Sequence, residues 1–284
     1  MRTNKQSQIV KKIGKVLKIS TLLIYAAVVI LPLLWIILTS LKATQAEIYR
    51  FPVQYLPKPF SLSNYAEIFS IGNFGQFFFN SFFVSTTASV CAVFIAILAS
   101  YVIARYTFKL RNFFLFFFLF TQMIPMFIML GPLYQMMATA RMTNRLGTLI
   151  LLYTSMMIPF SIVTLRGFFV GIPKSLEEAA MIDGCGRLRA LFAIVLPIMT
   201  PGILATFIFA FVNSWNELFI SVMFIDSEHL KTLPVALNSF IMKYDIDWGP
   251  LSAGVVVAVI PTILMFGYAQ KFMASGLVQG AVKG

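Results

Sequence analysis

Six apolar runs, at about residues 19–41, 77–104, 112–138, 147–170, 203–225 and 251–273, constrain this chain more than any other feature. Each approaches or exceeds the roughly 20 residues that an α-helix needs to cross the hydrocarbon core of a bilayer. A mean hydropathy of +0.87 with 11% charged residues excludes a soluble domain of 284 residues, which would carry more charge. The fold class expected is therefore all-α, with six transmembrane helices. The first run exceeds the roughly 7–15 residues of a signal-peptide core and lacks a small-x-small cleavage site, so it reads as an uncleaved span.

Six spans put both termini on one side. Fifteen Lys and Arg accompany the termini and the segments 105–111 and 166–189, against seven in the opposite loops, namely Lys42, Arg50, Lys58, Arg141, Arg145, Lys231 and Lys243. The positive-inside rule places both termini and the 171–202 loop in the cytoplasm. The same distribution accounts for the net charge of +12 without a nucleic-acid surface, because the cations flank apolar spans. In the basic N-terminal segment, Lys11, Lys15 and Lys18 share a helical face suited to anionic headgroups. Of the outer segments, 42–76 reads as an irregular, ordered loop broken by Pro52, Pro57 and Pro59. The other outer loop, 226–250, carries Asp226, Glu228, Asp245, Asp247 and Trp248.

Within the 171–202 loop, Ser175 to Pro197 is the longest amphipathic stretch. Ser175 and Glu178 have capping-box spacing, which predicts a helix starting at Leu176. Gly184 and Gly186 can adopt positive φ, and so predict a sharp stop before a second helix from Arg187 toward Pro197. The expected product is a cytoplasmic helix-turn-helix.

Several polar residues fall inside the apolar runs. Ser81, Ser85, Ser89, Ala92, Ala96 and Ala99 form a small-residue stripe that lets helices approach closely. Gln122 precedes Pro125, so an amide side chain and freed backbone carbonyls meet at membrane depth, where they belong in protein or against a cavity. Asn213, Asn216, Glu217 and Ser221 follow i, i+3, i+4, i+8 and are expected on one face of a single helix. Inserting a central acid costs roughly 2.5 to 3.5 kcal/mol, so that face must meet protein or water. A structural hydrogen-bond network, a translocation-path lining and a proton relay are all open for it. His229 is the only histidine, and Cys91 and Cys185 make neither a metal spacing nor a disulfide framework. No stretch reads G-x-x-x-x-G-K-[ST], so the chain has no phosphate-binding loop of its own. Neither a catalytic constellation nor a metal site is expected.

Glu178-Ala179-Ala180, Gly184, Ile194 and Leu196-Pro197 reproduce, at their spacing, the EAA loop of ABC importer permeases. Asn80-Ser81, Thr164 to Phe169, Trp215-Asn216-Glu217 and Gly276 to Gly284 extend the resemblance to carbohydrate-type permeases related to the second maltose-transporter subunit. The resemblance implies a transmembrane permease domain over 19–273, flanked by cytoplasmic segments 1–18 and 274–284, in a bacterial inner membrane. It implies a homologous second permease, an extracytoplasmic solute-binding protein and two ATPase subunits, which would bind the ATP and magnesium, leaving this chain without a cofactor. It also implies an ATPase-coupling set of Glu177, Glu178, Ala179, Ala180, Asp183, Gly184, Ile194, Leu196 and Pro197, with Glu178 as polar anchor. The expected translocation path is Gln122, Asn213, Asn216, Glu217 and Ser221. A permease for another solute class, and a proton-coupled secondary transporter relying on Glu217, are the alternatives.

Overall fold

In the computed structural model, residues 2–70, 73–241 and 246–281 are described, without the side chains of 2–11 and 273–281. The side chains of the N-terminal cations Arg2, Lys5 and Lys11 and of 274–281, the loop residues Lys243 and Asp245, and residues 282–284 lie outside what is described. The chain divides into two units, one of residues 1–72 and 240–257, the other of residues 73–239 and 258–284.

The first unit holds α1 (Arg2–Ser40), α2 (Gln45–Ile48) and α3 (Ser63–Ser70). The expected irregular outer loop thus contains two short helices. Its order comes from Asn64, a buried amide that donates to the carbonyls of Ser40 at 2.9 Å and Lys42 at 2.8 Å. Gly249 makes room for that amide, since a Cβ there would lie 2.5 Å from Asn64 Oδ1.

The second unit is built from α4 (Phe74–Arg105), α5 (Arg111–Thr121), α6 (Met126–Thr139), α7 (Leu146–Gly171), α8 (Ser175–Ile182) and α9 (Arg187–Ala190). A π-helical turn over Leu191–Val195 leads into α10 (Leu196–Ile198), α11 (Thr200–Trp215), α12 (Phe219–Phe224) and α13 (Leu233–Ser239). Residues from 258 onward in α14 (Trp248–Ala281) complete it. Helix α4 packs along α7 and α11. Its small-residue stripe makes this possible, with Ser81, Ser85, Ser89, Ala92 and Ala96 all buried. Ser89 returns its hydroxyl to the Ser85 carbonyl at 2.7 Å, so the hydroxyl needs no partner from another helix. Asn80 donates to the carbonyls of His229 and Lys231, both at 2.9 Å, and Ser81 Oγ accepts the Leu233 amide at 2.7 Å, pinning the 228–239 segment to α4.

Among the described residues, four helices are long and apolar enough to cross a membrane: Lys12–Ser40, Phe74–Arg105, Leu146–Gly171 and Trp248–Phe272. Counting each of two bent pairs as one span, Arg111–Thr121 with Met126–Thr139 at 97° and Arg187–Ile198 with Thr200–Trp215 at 78°, raises the number to six, although the second pair covers 187–215 rather than the expected 203–225. The third expected span is therefore broken rather than continuous. The amides of Gln122, Met123 and Ile124 bond three residues back, to Leu119, Phe120 and Thr121. Pro125 then has no N–H to offer, so the chain turns there without an orphan donor. The fifth expected span also differs, because α11 ends at Trp215 and α12 begins only at Phe219.

The tightest glycine site in this unit is Gly202 against the Phe168 ring, where an added Cβ would lie 2.5 Å from Phe168 Cγ. Overpacking at such a point costs about 1 to 3 kcal/mol. Gly202→Val should lower thermal stability in detergent by that amount, whereas Gly147→Ala, which meets open space, should be tolerated. Equal melting temperatures for the two variants would contradict this packing.

Candidate coupling hairpin and membrane-depth polar site

Helix α8 begins one residue earlier than its sequence predicts. Lys174 occupies the N-cap position with helical φ −63° and ψ −28°, and no side chain caps the end. Pro173 already holds a helix-compatible φ. The carbonyls of Pro173 and Lys174 accept the amides of Leu176 at 3.4 Å and of Glu177 and Glu178 at 3.0 Å. The Ser175–Glu178 capping box is consequently not made.

The far end of α8 closes in a Schellman turn. Gly184 has φ +86°, its amide donates to Met181 at 3.1 Å, and the Cys185 amide reaches back to Ala180 at 2.9 Å. Gly186, with φ −68°, does not use the positive-φ freedom that its sequence permits. Around this turn Glu178, Ala179 and Asp183 are exposed, and Ile182 is 87% exposed. Ile194 and Leu196 are half-buried beyond it, and Pro197 is exposed.

Glu177 is not part of the outward face. It is buried beside Ala180, accepting Arg105 Nε at 2.5 Å through Oε1 and the Tyr101 hydroxyl at 3.0 Å through Oε2. Arg105 also donates Nη1 to the Phe169 carbonyl at 2.9 Å, one of the C-terminal carbonyls of α7 that a cation satisfies well.

The polar stripe expected on one helix does not exist as a stripe. Asn213 lies in the last turn of α11, Asn216 caps it, Glu217 stands in the break and Ser221 is in α12. Glu217 is the reason α12 can start at membrane depth. Its carboxylate accepts the amides of Ile220 at 2.9 Å and Ser221 at 3.2 Å, and the Tyr153 hydroxyl at 2.9 Å. Ser221 is buried and shares a 2.7 Å hydrogen bond with Thr232. Gln122 and Asn213 are brought together, both lining a cavity of about 790 Å³ between the α5–α6 break, α7 and α11, with Thr121, Ser155 and Met156. Asn216, Glu217 and Ser221 are not among its lining residues.

Residues 92–277 match the family described as binding-protein-dependent transport system inner membrane component. The chain belongs to this family. It is 36% identical over 253 residues to the sulfoquinovosyl glycerol transport system permease protein SmoH of Agrobacterium fabrum, covering 89% of this chain and 88% of that one. It is also 36% identical over 255 residues to the diacetylchitobiose uptake system permease protein DasC of Streptomyces coelicolor, with 90% and 92% covered. The inner membrane ABC transporter permease protein YcjP of Escherichia coli is 32% identical over 286 residues, covering 100% of both chains. A bacterial ABC transporter involved in the import of the acidic polysaccharide alginate shares the fold at a TM-score of 0.79 and 20% identity, covering 92% of this chain and 96% of that one. This permease is thus a multi-pass inner-membrane transport component rather than an enzyme.

Sequence reasoning missed Tyr101, Arg105 and Tyr153. Arg105 enters the sequence reading only as one of the cations that set topology, although a cation at the end of an apolar span needs a partner. Helical spacing contains the signal for that partner, because Glu177 is three residues before Ala180 and shares its buried face, while Glu178 does not.

Because Glu217 is fully engaged as a helix-start acceptor, Glu217→Gln, which retains one oxygen acceptor, should cost about 1 to 3 kcal/mol of stability. Thermal unfolding in detergent checks the loss. ATP-driven uptake by the wild type and the variant should be equally indifferent to a protonophore; collapse of uptake in wild-type vesicles on adding the protonophore would restore a proton-relay role.

Proposed function

We propose that this permease forms, with a second homologous permease, the translocation path of an ATP-driven importer for a sugar or oligosaccharide. Two ATPase subunits supply the energy and an extracytoplasmic solute-binding protein delivers the solute. The single observation that carries the coupling role is the outward face of the hairpin. Glu178, Ala179, Ile182 and Asp183 project around a rigid Schellman turn, offering two acids and an apolar knob to a partner. Ile182, 87% exposed at the tip of the helix, is the apolar knob that a groove of the ATPase receives on this reading. The half-buried Ile194 and Leu196 support the second arm of the same hairpin.

The carbohydrate assignment rests on the relatives, whose names specify sulfoquinovosyl glycerol and diacetylchitobiose. Gln122 and Asn213 fit such a path, since exposed amides on one cavity wall can exchange hydrogen bonds with hydroxyls. Both termini and the hairpin lie in the cytoplasm on this reading, which the distribution of Lys and Arg supports.

A cysteine introduced at exposed Asn238 should react with an impermeant thiol reagent in intact cells, and native Cys185 should not; the reverse pattern would invert the topology. For coupling, Gly184→Val forces a β-branched residue into positive φ, at about 1 to 3 kcal/mol, and Glu178→Ala removes an outward charge. Both variants should reach the membrane yet co-purify less with the ATPase, or lose hydrolysis stimulated by loaded binding protein. Wild-type coupling in the double variant would remove the hairpin from this role. Uptake of a labelled amino acid or phosphate in place of labelled oligosaccharides would shift the permease to another solute class.

A further inference from the structure

We propose that the Arg105 end of α4 is the junction that carries motion from the hairpin into the membrane helices, with Glu177 as its positioning residue. The inference rests on the coupling role given to the hairpin above and names the part of it that faces away from the ATPase. A lever moves what it is fastened to, and α8 is fastened by Glu177. Both carboxylate oxygens of Glu177 are taken by one helix, α4, through Arg105 Nε at 2.5 Å and Tyr101 at 3.0 Å. The same guanidinium holds the Phe169 carbonyl at 2.9 Å, so a single side chain ties α4, α7 and α8 together.

The pair is shielded, with side chains only 7% and 8% exposed, so it does not exchange partners with water as surface ion pairs do. The Tyr101 ring also packs on Phe169 with centroids 5.6 Å apart, closing the same junction by apolar contact. A second strap lies beside it. Tyr106, the residue after α4, accepts Arg187 Nη1 at 3.0 Å, and its ring lies 5.5 Å from that guanidinium, which holds α9. Both arms of the hairpin are therefore anchored to a six-residue stretch, 101–106, at one end of α4. Displacement of the hairpin cannot be absorbed by side-chain rotation there and passes to α4 and to α7, whose Ser155 and Met156 line the 790 Å³ cavity. Glu178 receives the motion and Glu177 transmits it.

The test uses the transporter assembled with its ATPase subunits in liposomes, with loaded binding protein, comparing Glu177→Gln with Glu178→Ala. Glu177→Gln should keep the ATPase subunits bound while solute taken up per ATP hydrolysed falls, because the charge-assisted bond that holds Arg105 is weakened; about 1.5 kcal/mol in the junction's closed-to-open equilibrium is about a tenfold change in its population. Glu178→Ala should instead weaken co-purification. Unchanged uptake per ATP in Glu177→Gln, beside a docking defect in Glu178→Ala, overturns this inference and leaves the hairpin's coupling role intact. Loss of docking in Glu177→Gln overturns it too, because Glu177 would then be a contact residue. Wild-type behaviour of both variants removes the coupling role and the inference together. If Glu177→Gln fails to insert, the paired change Arg105→Leu with Glu177→Leu fills the site without a buried charge. That pair should assemble and hydrolyse ATP with little solute uptake; wild-type uptake per ATP by it overturns the proposal.

Discussion

In hydrocarbon there is no water to satisfy a peptide group, and this constraint governs where the permease can bend. Two of the apolar runs are interrupted among the described residues, at 122–125 and at 216–218, and the hydrogen bonds are closed differently in each. At 122–125 the backbone tightens to three-residue bonds and ends on Pro125, which has no donor to strand. At 216–218 the break exposes the first amides of α12, and a carboxylate is supplied to receive them. Glu217 is thereby stabilised by two peptide N–H groups, a tyrosine hydroxyl and the positive end of a helix. The most costly residue of the fifth apolar run is what permits its helix to stop and restart.

The second dependency is distance. Polar junctions between helices require backbones close enough for short side chains to meet, and the serine and alanine stripe of α4 provides that approach to α7 and α11. Once α4 and α7 lie together, their ends are together, and Arg105 can reach both the Phe169 carbonyl and the carboxylate of Glu177. The ion pair is thus a consequence of small residues packed along α4. Apolar packing around Ile162, Leu165, Phe169, Leu191 and Val195 keeps water from the same end.

The six spans, the small-residue stripe and the positive-φ turn at Gly184 were legible in the sequence because each depends on local composition: run length, side-chain size and the absence of a Cβ. The single polar helix face expected from Asn213 to Ser221 was not, since its i, i+3, i+4, i+8 spacing presumes a continuous helix and Glu217 acts by ending one. The capping box at Ser175 failed for a related reason. Pro173 starts the helix early, and backbone carbonyls take the amides that a hydroxyl was expected to hold. Tyr101 and Arg105 lie more than seventy positions before Glu177, a separation that no local pattern bridges.

The adjacent acids of α8 bring these strands together. Consecutive residues on an α-helix point about 100° apart, so Glu177 and Glu178 cannot serve one surface. Helix geometry assigns one to the bundle and the other to solvent, and burial of Ala180 decides which, because it shares the face of Glu177. An eight-residue helix is too short to be stable by propensity alone and takes its order from tertiary contacts. Fixing its inner face through a buried ion pair and its end through a Schellman turn leaves the outer face rigid without help from a partner. A preorganised face loses little entropy on docking. A displaced one cannot relax by unwinding, and on the coupling role proposed above that combination is what a helix of two turns needs to act on spans as long as α4 and α7.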